Sequence, residues 1–368
     1  MTHDFAPKLA RILTEYCQPV NQGDYAIIFG STATVPMVEA LLEAIWKRGG
    51  NTTSFIGLPN TAEIFFNCAT DEQFDFQDPA VMVATEKADI LFSVRASTNS
   101  KQLALVDPAR LARRQQGQRP WVELYFRRIQ EDALRFNIFG WPTEAAAQDA
   151  EMGLLAYTQF IYTACGLDQN DPIAFWKEFR DRQERLIEWL KGKQHAEVHG
   201  PGIDLSFDFG GRTWISCHGT RNFPDGEIFT CPIEDSVNGH VEFSFPTMYG
   251  GRESSGVALV FKNGAVVESS ADKGNDYLQS QLNMDEGARR LGEFAVGTNR
   301  GIQKFTREIL FDEKIGGTIH MALGENPNKD TGGVNKSAIH WDMVHNMKDG
   351  GEIHIDGTLF YRSGEFMV

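Results

Sequence analysis

The chain has 368 residues, 42% hydrophobic and 23% charged, the proportions of an ordinary globular protein and not of a disordered one. Thirty-five basic residues stand against 50 acidic ones, a net charge of −15 at pH 7, and such a surface repels phosphate backbones, which disfavours nucleic acid as a partner. No apolar run approaches the roughly 18 residues that span a bilayer, and the start MTHDFAPKLARILTEY lacks a signal-peptide layout, so the expectation is a cytoplasmic protein without a membrane partner.

At this length two domains are expected rather than one core. The first, over 1–125, reads as α/β. A short apolar run at Asp24 to Phe29 ends at Gly30, and Val35 to Lys47 then carries helical periodicity through Val38, Leu41, Leu42 and Ile45. Strand signals recur at Thr53 to Ile56 and Ala88 to Val94. Alternation of this kind predicts a parallel sheet with flanking helices. The Gly30-Ser31-Thr32 turn lies where such folds often hold phosphates, but neither GxGxxG nor GxxxxGK is present, and no nucleotide is expected.

Residues 126–195 are predicted to form a helical connection. Pro142 and Thr143 open one helix, EAAAQDAEMGLLAYTQFIYTAC, which Gly166 ends. A second begins near Asp171-Pro172, where proline suits a first turn, and runs through FWKEFRDRQERLIEWLKGK. From 196 to 368 the pattern becomes β-rich: IDLSFDF and GEIHIDGTLFY alternate, and Asp225-Gly226, Asn238-Gly239, Asn263-Gly264 and Asp356-Gly357 mark turns. This predicts an α+β C-terminal domain on a largely antiparallel sheet, with one helical interruption near Asp285 to Phe294. The five cysteines, Cys17, Cys68, Cys165, Cys217 and Cys231, form no CxxC pair and suggest neither a zinc knuckle nor a disulfide framework.

Seven of the nine histidines lie at or beyond His199. In a strand, residues two apart share a face, so His340 and Asp342 would present an imidazole and a carboxylate side by side. That is either half a metal site or an aspartate orienting a histidine. His320 lies in the apolar run Gly317 to Gly324. Glu293 sits between glycine and apolar residues, where a carboxylate, if buried, needs a cation or a metal. Glu227 follows the Asp225-Gly226 turn into a strand-like Glu-Ile-Phe-Thr. Two histidines and three carboxylates in one β lobe suit two hard or borderline divalent ions, which could activate a water for hydrolysis.

At these residues the chain resembles the M29 family of metalloaminopeptidases, through the blocks RNFPDGEIFTCPIEDSVNG, YGGRE, DEGARRLGEFAVGTN, ILFDEKIGGTIHMALG, GGVNKSAIHWDM and GGEIHIDGTLFY. The likeness runs in consistent order over most of the chain and is weakest in the first hundred residues. It implies a two-domain homodimer with two divalent ions (zinc, cobalt, manganese or magnesium). It also implies a hydrolase that removes N-terminal residues from small peptides or amino-acid amides. Carried over position by position, the metal ligands fall on Glu227, Glu293, His320, His340 and Asp342, with Glu293 also assisting proton transfer. One departure stands out. Where the family usually carries a tyrosine in a Tyr-Pro loop, this chain reads Gly324 to Gly333 without one, leaving Asn326, Lys329 or Tyr249 as possible substitutes. The alternatives are a ring-cleaving Fe(II) dioxygenase of the dihydroxypyridine type on the same scaffold, which would place a histidine near the position of Glu293, and a non-peptidase member of the family.

Overall fold

The apolar run after Asp24 forms the strand Tyr25–Ser31, and Ala26, Ile27 and Ile28 are fully buried in it. Burial on both sides is what a central strand of a helix-covered parallel sheet requires. In this computed structural model, which describes residues 4–326 and 328–368, the strand pairs in parallel with Asn51–Gly57 on one side and Ile90–Arg95 on the other. Arg135–Gly140 and Asn222–Phe223 extend the sheet, again in parallel. Helix Val35–Lys47 buries Met37, Val38, Leu41 and Ile45, one stripe of its surface. This sheet belongs to the unit Met1–Ala174 with Gly219–Phe223; the second unit is Phe175–His218 with Pro224–Val368.

Two expectations need correction. The helix read over EAAAQDAEMGLLAYTQFIYTAC is two helices, Glu144–Asp149 and Leu154–Ala164. Glu151 turns left-handed, at φ 55°, and the Met152 amide bonds back to the Ala147 carbonyl at 2.8 Å. That six-residue closure is a Schellman-type stop, and it outweighs the strong helix propensity on either side. The stretch 126–195 also holds the strand Arg135–Gly140 besides its helices.

The second correction bears on the site. Asp285 to Phe294 is not a helix. The helix comes earlier, at Asn275–Leu282; a single 3-10 turn follows at Gly287–Arg289, and then the strand Leu291–Gly297. Asp285 caps that single turn by accepting from the Ala288 amide at 2.9 Å, and ties it to the neighbouring segment by accepting from the Ala338 amide at 2.7 Å. All seven strand residues are buried, and a continuously buried run wants a paired neighbour on each side. It has them, in Thr318–Gly324 and Glu227–Thr230.

The second unit holds an eight-stranded sheet and a five-stranded sheet of order His340–Asn346, Thr318–Gly324, Leu291–Gly297, Glu227–Thr230, Ile215–Cys217. Every pair within the five is antiparallel. One of its faces, carrying Ile228, Phe294, Val296, Met321 and Met343, joins Val198, Leu205, Phe207 and Leu259 of the larger sheet in one core. Phe207 and Phe294 meet at 4.7 Å between ring centres. The opposite face is left to the polar residues described next.

Candidate metal centre

Strand register gathers the candidate residues. Glu293 pairs with Ala322, and Ala322 with Asp342. His320 pairs with Ala295, His340 with Gly324, and Glu227 with Gly297. Paired residues and residues two apart share a face. Glu227, Glu293, His320, His340 and Asp342 therefore all lie on the face turned away from the hydrophobic core. Gly297, Ala295, Ala322 and Gly324 stand between them on this face and leave room between the functional side chains.

Two glycines make that register possible. The strand of Glu293 slips by one residue between Leu291 and Glu293, a bulge that re-aims the glutamate. Gly292 is its hinge: a Cβ there would stand 2.5 Å from the Gly324 carbonyl and closer still to that of Glu325. Gly226, at φ 145°, leads the chain into Glu227, and a Cβ there would stand 2.5 Å from Asn299 Cβ.

His320 is fully buried. Its Nε2 lies 3.1 Å from Glu293 Oε1 and 3.4 Å from Glu227 Oε2, so these three come together. His340 Nε2 lies 3.4 Å from Asp342 Oδ1. Atoms of His320 and Asp342 also fall within 4.8 Å of one another and of Glu313. Both imidazoles are oriented by the backbone: Nδ1 donates to the Glu313 carbonyl in His320, at 3.1 Å, and to the Glu325 carbonyl in His340, at 2.7 Å. That turns each Nε2 toward the carboxylates as the metal-competent nitrogen.

The residues fit a divalent cation. Glu227 Oε2 and Asp342 Oδ1 are buried without a hydrogen-bond partner among the described residues. Such orphaned carboxylate oxygens are costly unless something positive completes them. Imidazole nitrogen with carboxylate oxygen is a donor set for zinc, cobalt or manganese.

The charges are strongly coupled. Burial works against a proton on His320, but the bond to Glu293 and the charges of Glu227, Glu293 and Glu313 overcome it and push the imidazole up to about 9. His340 is likewise disfavoured by burial, yet Asp342 beside it lifts it to about 10. Asp342 loses stability as an anion on burial, but His340 brings it down to about 2. Burial holds Glu227 above the ordinary carboxylate range, against the pull of Lys314, and pushes Glu313 up to about 8.

Four neighbours were not singled out from the sequence. Lys314 is buried, with Nζ 2.6 Å from Glu227 Oε1 and 3.9 Å from Asp225 Oδ1, and it also pairs with Glu313. Cys217, paired with Glu227 in the sheet, falls with Asp225 and Glu227 in a second cluster. The only hints were the carboxylate–lysine step Glu313-Lys314 before two glycines and the aspartate of the Asp225-Gly226 turn.

The loop after the His320 strand meets His340 through a backbone carbonyl, that of Glu325, and not through its candidate side chains. Asn326 spends its amide on Thr331 Oγ1 at 2.8 Å. Pro327 lies outside the described residues. Tyr249 stacks on Trp341, 5.4 Å between ring centres, and its hydroxyl accepts a long bond of 3.4 Å from the His340 amide.

The chain is similar to known metalloproteases along nearly its whole length. The family model described as thermophilic metalloprotease (M29) matches residues 3–366. Aminopeptidase 2 of Geobacillus stearothermophilus is 28% identical over 95% of this chain and 93% of its own. Aminopeptidase T of Thermus aquaticus is 30% identical over 72% of this chain and 71% of its own. Among solved structures, wild-type AmpT from Thermus thermophilus superposes with a TM-score of 0.86 at 25% identity, covering 99% of both chains. A 2,5-dihydroxypyridine dioxygenase from Pseudomonas putida KT2440 reaches 0.60 at 14% identity, over 99% of this chain and 97% of its own, a likeness of fold alone.

Proposed function

The chain belongs to the M29 thermophilic metalloprotease family and is a metal-dependent aminopeptidase, and from that premise we propose that Glu227, Glu293, His320, His340 and Asp342 hold its metal and that it removes N-terminal residues from small peptides or amino-acid amides. The observation that carries the assignment is the pair of buried carboxylate oxygens without a hydrogen-bond partner, facing histidines whose Nδ1 atoms are already committed to backbone carbonyls. We propose two ions, one in the Glu227–Glu293–His320 group and one on the His340–Asp342 side, with zinc, cobalt, manganese or magnesium as the metal. A divalent ion bound here polarises a scissile carbonyl and lowers the pKa of a water.

The remaining work falls to side chains. Glu293, on its bulge, takes the proton of the attacking water and returns it to the departing amine. The Glu313 and Glu325 carbonyls keep the imidazoles in the tautomer that leaves Nε2 available.

The test is Glu293→Gln. Metal per chain by mass spectrometry falls by at least one equivalent, and hydrolysis of a dipeptide amide falls with it, while the N-acetylated dipeptide is no substrate of the wild type. Full metal content with full rate in the variant would show that the site is misassigned. One iron per chain with ring-cleaving activity would replace this reading by the dioxygenase one. We further propose a cytoplasmic homodimer; no helix among the described residues is long and apolar enough to cross a membrane. Light scattering is expected to give twice the chain mass of 41.2 kDa, and a monomer at micromolar concentration would overturn the dimer.

A further inference from the structure

Lys314 is a charged side chain only 1% exposed, in the turn between the short helix Ile309–Asp312 and the strand Thr318–Gly324. A buried ammonium is costly unless it is fully paired. Its partners are Glu227, at 2.6 Å from Oε1, Asp225, at 3.9 Å, and Glu313. The pairing divides the labour of Glu227 between its two oxygens. Oε1 is spent on the lysine; Oε2 is buried, without a hydrogen-bond partner, and 3.4 Å from His320 Nε2.

We propose that Lys314 is a positioning residue that restricts Glu227 to one-oxygen ligation through Oε2 and sets a fixed positive charge beside the metal centre. This rests on the reading of Glu227 as a metal ligand. A fixed cation sharing a carboxylate with a divalent ion repels it. Lys314 therefore holds metal affinity below what the carboxylates alone would give. Its removal raises affinity, whereas the loss of a merely structural lysine would loosen the site and lower it.

The probe is Co²⁺ added to the full-length protein after chelation, followed by its visible d–d absorption and by titration calorimetry. Lys314→Met binds Co²⁺ on the order of tenfold more tightly or better, and its absorption weakens as Oε1 joins the coordination and the ligand number rises. Lys314→Gln, which loses the charge but keeps a donor toward Oε1, also binds more tightly and keeps the wild-type spectrum; it decides the matter if the methionine variant does not fold. Wild-type binding with unchanged or weaker affinity in the substituted proteins overturns the role of Lys314 and leaves the metal centre standing. No Co²⁺ binding by the wild type, or binding that Glu227→Gln leaves untouched, overturns the ligand reading and the Lys314 proposal with it.

Discussion

Gly292→Ala tests the geometry of the site from a residue that offers it no functional group. The added Cβ would stand 2.5 Å from the Gly324 carbonyl oxygen and nearer still to that of Glu325, where ordinary contact begins at 3.4 Å. Both obstacles are backbone, so no rotamer change relieves them, and the strands must part by about 1 Å. That displacement acts on both ends of the centre. Glu293 is the next residue, 3.1 Å from His320, and the Glu325 carbonyl is the one that fixes His340. A misplacement of about 1 Å costs on the order of 100-fold in rate, and overpacking of this kind about 1–3 kcal/mol in stability. The assay is kcat/KM on a dipeptide amide beside thermal unfolding of the metal-loaded protein. Gly153→Ala is the control, since nothing lies within 4 Å of its Cβ position, and it should stay within about 0.5 kcal/mol of wild type. A Gly292→Ala protein with wild-type kcat/KM would show that the bulge does not aim Glu293.

The parts of the site that were legible in the sequence are those set by local periodicity. His340 and Asp342 share a face because strands repeat every two residues, and the Asp225-Gly226 turn announced the strand that Glu227 opens. Glu293 was picked out for its apolar surroundings, with burial left conditional, and was set in the wrong element. The seven residues LGEFAVG satisfy a buried strand and a short helical segment equally well, and the strand partners that decide between them lie near residues 230 and 320. Glu313 and Lys314 were illegible for a different reason. FDEKIGG reads as a charged surface turn, and its burial comes from packing against Glu227, 87 residues earlier. The loop at 324–333 was judged by its side chains, whereas its contact with His340 is made by a carbonyl that every residue type possesses. In the first unit the parallel sheet followed from alternating strand and helix signals. The break at Glu151 did not, because a left-handed glutamate has no compositional signature.

Three further outcomes follow from the same geometry. Chelation abolishes hydrolysis and readdition of zinc, cobalt or manganese restores it, measured as rate against free metal; full activity in the chelated protein would exclude a metal mechanism. Tyr249→Phe keeps the stack on Trp341 and loses only a 3.4 Å bond, worth about 0.5 kcal/mol, or roughly twofold in kcat/KM; a hundredfold loss would instead make the hydroxyl a participant in the reaction. The last concerns protons. His320 and His340, lifted to about 9 and about 10 by the carboxylates that face them, both carry a proton at pH 7 in the metal-free protein. Metal requires neutral imidazole, so filling both positions expels about two protons, one per ion, and the affinity for each ion climbs about tenfold per pH unit until its histidine deprotonates unaided. The raised values also fix the sign for the metal-free fold. The histidine contribution to stability is whole below the unfolded value of 6.5 and is lost as pH rises through about 9 to 10. That of Asp342 is present above 3.8 and lost as pH falls toward about 2. Calorimetric titration of metal in buffers of different ionisation enthalpy counts the released protons directly. A count below one at pH 7 would mean that the histidines face the carboxylates uncharged, and the electrostatic account of the centre would fail.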